Sequence, residues 1–470
     1  MGDTLDPDDW GEFRNIARRM LEAAIDRLEG ASDGPVWQPL PEELHRSLNQ
    51  PLPQKGTDTA DVQAQIEALL PYGVGNTHPR FFGWVHGAGS PGGLIAEMAV
   101  AAMNANLGGR DHGAIHVEKQ LVDWMRQMFG FPAASSGLVV SGTSMATIIA
   151  LKVAREAALG VSTRTDGIGA HRLVGYASSQ AHNCVARAFD LLGLGAGALR
   201  SVPVNAAYEM DVNALIEMIT QDRADGKRPF LLVGTAGSVN VGAFDNLEAL
   251  ADIASQQRMW FHIDGAFGAA GVLSDTLRPR LEGIGRADSL AFDFHKWLHV
   301  NYDAGFVLVR DGAAHLAAFS SRPDYLQATT RGLAAGNPWP VEYGPELSRG
   351  FRALKIWAQL VEHGTEKLGA MISKNCQQAR CLAQIVQDHP ALTLLAPVAS
   401  SIVCFSYGES DEINAEIVMR LQENGVAAPS LTTLDGRTAI RVNITNHRTG
   451  NADLDVLVNE VVRIGDQLAN

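Results

Sequence analysis

Ser289-Leu290-Ala291-Phe292-Asp293-Phe294-His295-Lys296-Trp297-Leu298 opens as an apolar run, closes on an acid and then delivers a lysine into aromatic surroundings. Ser289–Asp293 reads as a β-strand. Lysine is rarely found in such a neighbourhood without cause. Desolvation and nearby cations lower an amine pKa, which makes Lys296 nucleophilic enough to condense with an aldehyde. The plain alternative is a surface lysine after a strand, and Trp297 and Leu298 beside it weigh against that. Outward from this stretch the pattern repeats. Short apolar runs at Gly137–Ser141, Arg172–Ala177, Leu199–Val204, Phe230–Thr235, Met259–Asp264 and Gly305–Arg310 alternate with helical stretches at Ser144–Ala158, Asn213–Gln221 and Leu247–Gln256. That alternation predicts an α/β fold around a mostly parallel sheet.

The chain has 470 residues, enough for two or three structural units with a large interior. Asp plus Glu exceed Lys plus Arg by 52 to 38, and no basic run forms a stripe, so nucleic acid and anionic membranes are poor partners. The start is acidic and has neither a basic nor an apolar leader segment, which predicts a cytoplasmic protein. Gly92–Gly108 is the most apolar long stretch, but Glu97, Asn104 and Asn106 interrupt it, so it reads as a buried helix and not a membrane span. Cys184, Cys376, Cys381 and Cys404 show no paired metal spacing and read as reduced thiols.

At the amino end Phe13, Ile16, Ala17, Met20, Leu21, Ala24 and Leu28 recur at helical spacing, and a proline-rich connector follows. Such a helix cannot bury its stripe on itself, so it packs on the main body or on another subunit. After Phe351 a long amphipathic stretch leads to strands at Leu392–Ala396, Ile402–Ser406 and Ala439–Thr445 and a helix near Glu412–Glu423. The expected division is an N-terminal helical arm and connector over 1–85, a large domain over 86–350 and a small α+β domain over 351–470.

Three further features fall at predicted strand ends, where open α/β sheets bind ligands. Ser141-Gly142-Thr143-Ser144 runs from strand to helix through small hydroxyl-bearing residues and suits a phosphate, although Ser144 could equally be an ordinary cap. In Ile263-Asp264-Gly265-Ala266 a carboxylate could hold a pyridine nitrogen protonated, or cap the next turn. In Ser179-Gln180-Ala181-His182 the histidine could stack on a ring and move protons, or be structural. Singly each is ambiguous; in the order phosphate loop, His, Asp, Lys they describe one site.

That order and wording resemble the group II pyridoxal-phosphate-dependent amino-acid decarboxylases, the family of aromatic-L-amino-acid decarboxylase. The most specific match is His295-Lys296-Trp297-Leu298 with Val300-Asn301-Tyr302-Asp303, supported by His78-Pro79-Arg80-Phe81-Phe82-Gly83, Phe244-Asp245-Asn246 and Phe351-Arg352-Ala353-Leu354-Lys355. The resemblance implies pyridoxal-phosphate fold type I, aspartate-aminotransferase-like, and a homodimer with an amino acid as substrate. It implies pyridoxal 5′-phosphate as cofactor, held by Lys296. Asp264, with Ala266 beside it, meets the ring nitrogen, and His182 stacks on the ring. Gly142, Thr143, Ser144 and His295 take the phosphate. Phe81 lies on the substrate side, and Arg441 is the candidate for the substrate carboxylate. The family's loop tyrosine has no counterpart in register: counting back from Phe351 reaches Trp339-Pro340 within the loop from Tyr325 to Pro345, and Tyr343 is the candidate replacement. The family's Ser-Pro before a helix corresponds to Asp111-His112.

Other readings are weaker. The glycines of Leu191–Gly197 follow a helical stretch and precede a strand, the wrong context for a dinucleotide loop. His112 and His116 stand four apart, but Gly113 occupies the place of a zincin glutamate, so no metal is expected. Carbon–sulfur lyases and aminotransferases share the fold, and a non-catalytic dimeric homologue would not need Lys296 and Asp264. The expected reaction is decarboxylation of an aromatic or other apolar L-amino acid to the amine, with oxidative deamination to an aldehyde as the rival.

Overall fold

The structure, a computed structural model, describes residues 4–321 and 329–469. Seven strands form the larger sheet: β1 Ser136–Val140, β2 Leu173–Ser178, β3 Leu199–Val202, β4 Arg228–Thr235, β5 Trp260–Asp264, β6 Ser289–Asp293 and β7 Gly305–Val309. Their order is β1-β7-β6-β5-β4-β2-β3. β3, β2, β4, β5 and β6 run parallel, and β7 is antiparallel to both its neighbours, so the sheet is mostly parallel. Both faces are covered, which is why β2, β6 and β7 are buried throughout. Along β6, Leu290 and Phe292 enter one apolar core while Ala291 enters the other, as the two-residue period of a strand requires. The turns at the carboxyl ends of these strands lie on one edge of the sheet and position the site.

β1 is an edge strand, and its free backbone is not left to solvent. Glu118 Oε1 accepts the Val139 N–H at 3.0 Å, and Arg349 Nη2 donates to the Val139 carbonyl at 2.6 Å. Arg349 and Glu118 are themselves paired at 2.5 and 3.1 Å, both almost wholly buried. The pair thus supplies the donor and acceptor that a neighbouring strand would otherwise provide.

The smaller sheet has the order β10-β11-β9-β8, with β8 Leu392–Leu394, β9 Ile402–Tyr407, β10 Ser430–Leu434 and β11 Arg437–Asn443, all antiparallel. The helix Ala353–Asp388, broken at Gly364, runs from the larger sheet into this unit, and the helices Asp411–Glu423 and Asn451–Ala469 back it. β10 and the last helix were absent from the sequence reading. The hairpin between β10 and β11 turns at Asp435-Gly436, both with positive φ (48° and 81°), a turn whose twist matches the strands it joins.

The N-terminal helix Trp10–Glu29 forms as its periodicity predicts, but only Ile16 is buried, and it packs on the short helix Thr59–Glu67. The helix Pro91–Met103 corrects an expectation. It is not buried: Gly93 and Ala96 are covered, whereas Ile95, Met98 and Met103 are more than half exposed. Gly93 has to be small, since a Cβ there would lie 1.9 Å from the Asn301 side chain. Among the described residues no helix is long and apolar enough to cross a membrane.

Candidate active site

A cavity of about 290 Å³ opens at the carboxyl ends of β4, β5 and β6. His182, Asp264, Ala266 and Lys296 line it, joined by Trp84, His86, Thr235 and Tyr302. The parallel register of β4 and β5 sets Thr235 opposite Asp264, so these two arrive together. His182 comes from the turn after β2, and Lys296 follows β6. Gly87 lets the segment carrying His86 press onto the lysine turn: a Cβ there would meet the Lys296 and His295 carbonyl oxygens at 2.3 and 2.4 Å.

Lys296 Nζ lies 3.0 Å from Asp293 Oδ2, and His295 Nε2 lies 3.6 Å from the same oxygen. The other oxygen, Asp293 Oδ1, accepts the Thr143 N–H at 2.7 Å, so one buried carboxylate joins the lysine to the helix Thr143–Leu159. The cap residue is Gly142, which has no side chain to offer, and Ser144 lies inside the first turn, which removes the reading of Ser144 as a cap; Asp293, from the lysine turn, takes the first N–H instead. Gly142 is extended and could carry a side chain. The close approach there belongs to Gly305, whose Cβ would lie 2.4 Å from the Gly142 Cα. Burial lowers the His295 pKa, against the Asp293 charge, which acts to raise it.

Asp264 Oδ1 accepts the Ala266 N–H at 3.1 Å, and Oδ2 accepts a weak bond from the Cys184 thiol at 3.7 Å. A carboxylate has about four acceptor positions, so it retains capacity for a donor in the cavity. The Cys184 N–H donates to His182 Nδ1 at 3.2 Å, which leaves the proton of a neutral imidazole on Nε2. Burial first, and the Lys296 charge second, lower the His86 pKa.

Seven expected residues lie outside the cavity lining: Gly142, Thr143, Ser144 and His295, expected at the phosphate, and Phe81, Arg441 and Tyr343. Phe81 is buried behind it, its ring 6.2 Å from Trp84 and 5.6 Å from His86. Arg441, the candidate for the substrate carboxylate, is occupied by its own chain. Its buried guanidinium donates to the carbonyls of Trp84 (2.9 Å), Asn240 (3.0 Å) and Val239 and to Ser430 Oγ (3.2 Å). It therefore braces Trp84 and Val239, two residues of the cavity wall, from behind. Tyr343 belongs to a different cavity, between β1 and the helix Gly113–Phe129, and packs edge-on against His315 at 5.0 Å. The front of its loop, including Tyr325, lies outside the described residues. At the surface His116 pairs with Asp111 at 2.9 Å.

Thr235, Asp293 and Cys184 were missed as site residues. Thr235 and Asp293 each end a predicted strand, so the strand-end rule applied to every strand would have found them. Nothing in the sequence signals that Cys184 touches Asp264.

The conserved domain of pyridoxal-dependent decarboxylases matches residues 41–408. The chain is 29% identical to the aromatic-L-amino-acid decarboxylase of Bacillus atrophaeus over 97% of its own length and 96% of that protein's. It is 30% identical to the L-2,4-diaminobutyrate decarboxylase of Rhizobium meliloti (strain 1021), covering 93% and 88%. In fold it is similar to the Oryza sativa TDC structure with PLP and tryptamine, with a TM-score of 0.90 at 23% identity over 99% and 100% of the two chains. The chain belongs to the pyridoxal-dependent decarboxylase family. It is accordingly a carboxy-lyase that uses pyridoxal 5′-phosphate and acts on an amino acid.

The residues present fit that cofactor. The Thr143 hydroxyl is buried without a hydrogen-bond partner among the described residues, in the first turn of a helix whose amino end suits a phosphate, and Thr235 stands on the cavity wall beside Asp264.

Proposed function

We propose that the chain decarboxylates an aromatic or other apolar L-amino acid to its amine and carbon dioxide in the cavity around Lys296. The observation that carries this reading is the convergence of Lys296, Asp264 and His182 on that cavity. Pyridoxal 5′-phosphate, when bound, supplies a conjugated ring that accepts the electron pair of the breaking bond between Cα and the carboxylate. Lys296 would hold the cofactor covalently. Asp264, beside Ala266, would keep the ring nitrogen protonated, and His182 would stack on the ring. Gly142, Thr143, Ser144 and His295 would receive the phosphate. The chain's task is then orientation, holding the carboxylate out of the ring plane for bond overlap.

The side-chain preference rests on the wall. Trp84, Val85, Val239 and Phe267 are apolar, and Asp264 is the one carboxylate among the described lining residues, so a substrate with a second ammonium finds no counterion there. Oxidative deamination to an aldehyde is the second reading, favoured by the placement of Tyr343 away from the cavity, which leaves Cα without the proposed donor. A homodimer is supported by the exposed apolar faces of the helices Trp10–Glu29 and Pro91–Met103, with 1–85 as an arm, 86–350 as the large domain and 351–470 as the small one. The free state of Cys184, Cys376, Cys381 and Cys404 accords with a reducing cytoplasm.

The test is a screen of L-amino acids for carbon dioxide, amine, aldehyde and peroxide, with and without oxygen, alongside borohydride reduction and peptide mapping. Amine and carbon dioxide, with the reduced cofactor on Lys296, are expected. Aldehyde and peroxide would move the chain to the second reading, and a label on another lysine would overturn the site.

A further inference from the structure

We infer that the Cys184 thiol is a positioning group that sets how strongly Asp264 acts on the cofactor. This rests on the reading of Asp264 given above. Cys184 opens the helix Cys184–Leu191 straight after the turn bearing His182, and it is buried. Its main chain and side chain do separate things. The N–H fixes the His182 tautomer, while Sγ lies 3.7 Å from Asp264 Oδ2 and 4.0 Å from the wholly buried Thr147 Oγ1. The three groups form a line, Thr147 hydroxyl to Cys184 thiol to Asp264 carboxylate, running from the helix Thr143–Leu159 into the cavity.

Burial pushes the thiol pKa up, and the charge of Asp264 pushes it the same way, so the sulfur keeps its proton and acts towards Asp264 only as a donor. A thiol is a weak donor. It satisfies Oδ2 enough to orient the carboxylate but withdraws little of its charge. A serine hydroxyl at the same position is a stronger donor that competes with the cofactor for that charge. Alanine donates nothing. The wild type therefore stands between its two nearest replacements, which no argument from packing would require.

The experiment uses holoenzyme and reads the pH midpoint of the cofactor's visible absorption, with the melting temperature measured in parallel. A carboxylate that holds the ring proton more firmly leaves the ring poorer in electrons and lowers that midpoint. Cys184→Ser is expected to raise the midpoint and Cys184→Ala to lower it, each by about half a pH unit. Thr147→Val, which removes the hydroxyl behind the thiol, should shift it in the same direction as Cys184→Ala, and it keeps the test open if a Cys184 variant fails to fold. Shifts of both Cys184 variants in one direction, or none in variants that melt like wild type, would overturn the inference. Asp264→Asn is the control. If it moves the midpoint while the Cys184 and Thr147 variants do not, the role of Cys184 alone is rejected; if it moves nothing, the assignment of Asp264 to the ring fails and the inference with it.

Discussion

Asn in place of Asp264 keeps the side-chain shape and removes its charge, so the two parts of its role separate. Asp264→Asn is expected to retain bound cofactor and to lose turnover by about a hundredfold, in the range found when one electrostatic stabiliser is removed. Cofactor stoichiometry by absorbance, set against carbon dioxide release per bound cofactor, measures this; loss of cofactor with unchanged turnover per occupied site would make Asp264 a structural cap. The convergence of Lys296, Asp264 and His182 on one cavity was legible in the sequence because each is a chemically specific residue at or just beyond a strand end. The positions of Arg441 and Tyr343 outside that cavity's lining were not legible, for the opposite reason. Their roles depend on what faces them, and an arginine near an anion site looks the same in sequence whether it meets a ligand or four acceptors of its own chain.

Elements were legible where burial imposes a pattern. The inner strands β2, β4, β5, β6 and β7 were found because strands covered on both sides read as apolar runs; the edge strand β3, Leu199-Arg200-Ser201-Val202 and only partly buried, was found from its place in the alternation. β10 was missed because Ser430-Leu431-Thr432-Thr433-Leu434 is partly exposed and carries threonine where a core run would carry valine, although Asp435-Gly436 marks the turn. The protection of the β1 edge was not legible either, since Glu118 and Arg349 are far apart in sequence. Arg349→Met should destabilise the fold by about 3–5 kcal/mol, the cost of stranding a buried carboxylate. Adding Glu118→Leu should recover part of that loss, although the Val139 backbone then lacks both partners. Urea unfolding of the single and double variants checks it, and equal midpoints for the Arg349→Met variant and wild type would show that the pair is dispensable.

At the scale of the whole molecule, the sequence identified the N-terminal helix but not how little of it the chain itself covers. Trp10 is 55% exposed and Ile95, on the separate helix Pro91–Met103, is 72% exposed, so the chain itself leaves two apolar faces uncovered. A chain beginning at Thr57 should dissociate at concentrations where the full chain is dimeric, or aggregate, as read by light scattering after gel filtration. A truncated dimer as stable as the full one would reject the arm's role. A further consequence follows from the bracing of the cavity wall. Arg441 and Asn443 on β11 both bond the Trp84 carbonyl, and Thr445 bonds that of His86 at 2.8 Å. The wall nearest the lysine is thereby stitched to the smaller sheet at several points more than 350 residues apart in sequence. A swing of the carboxyl-terminal unit that left Trp84 and His86 in place would therefore have to break all three of these bonds at once.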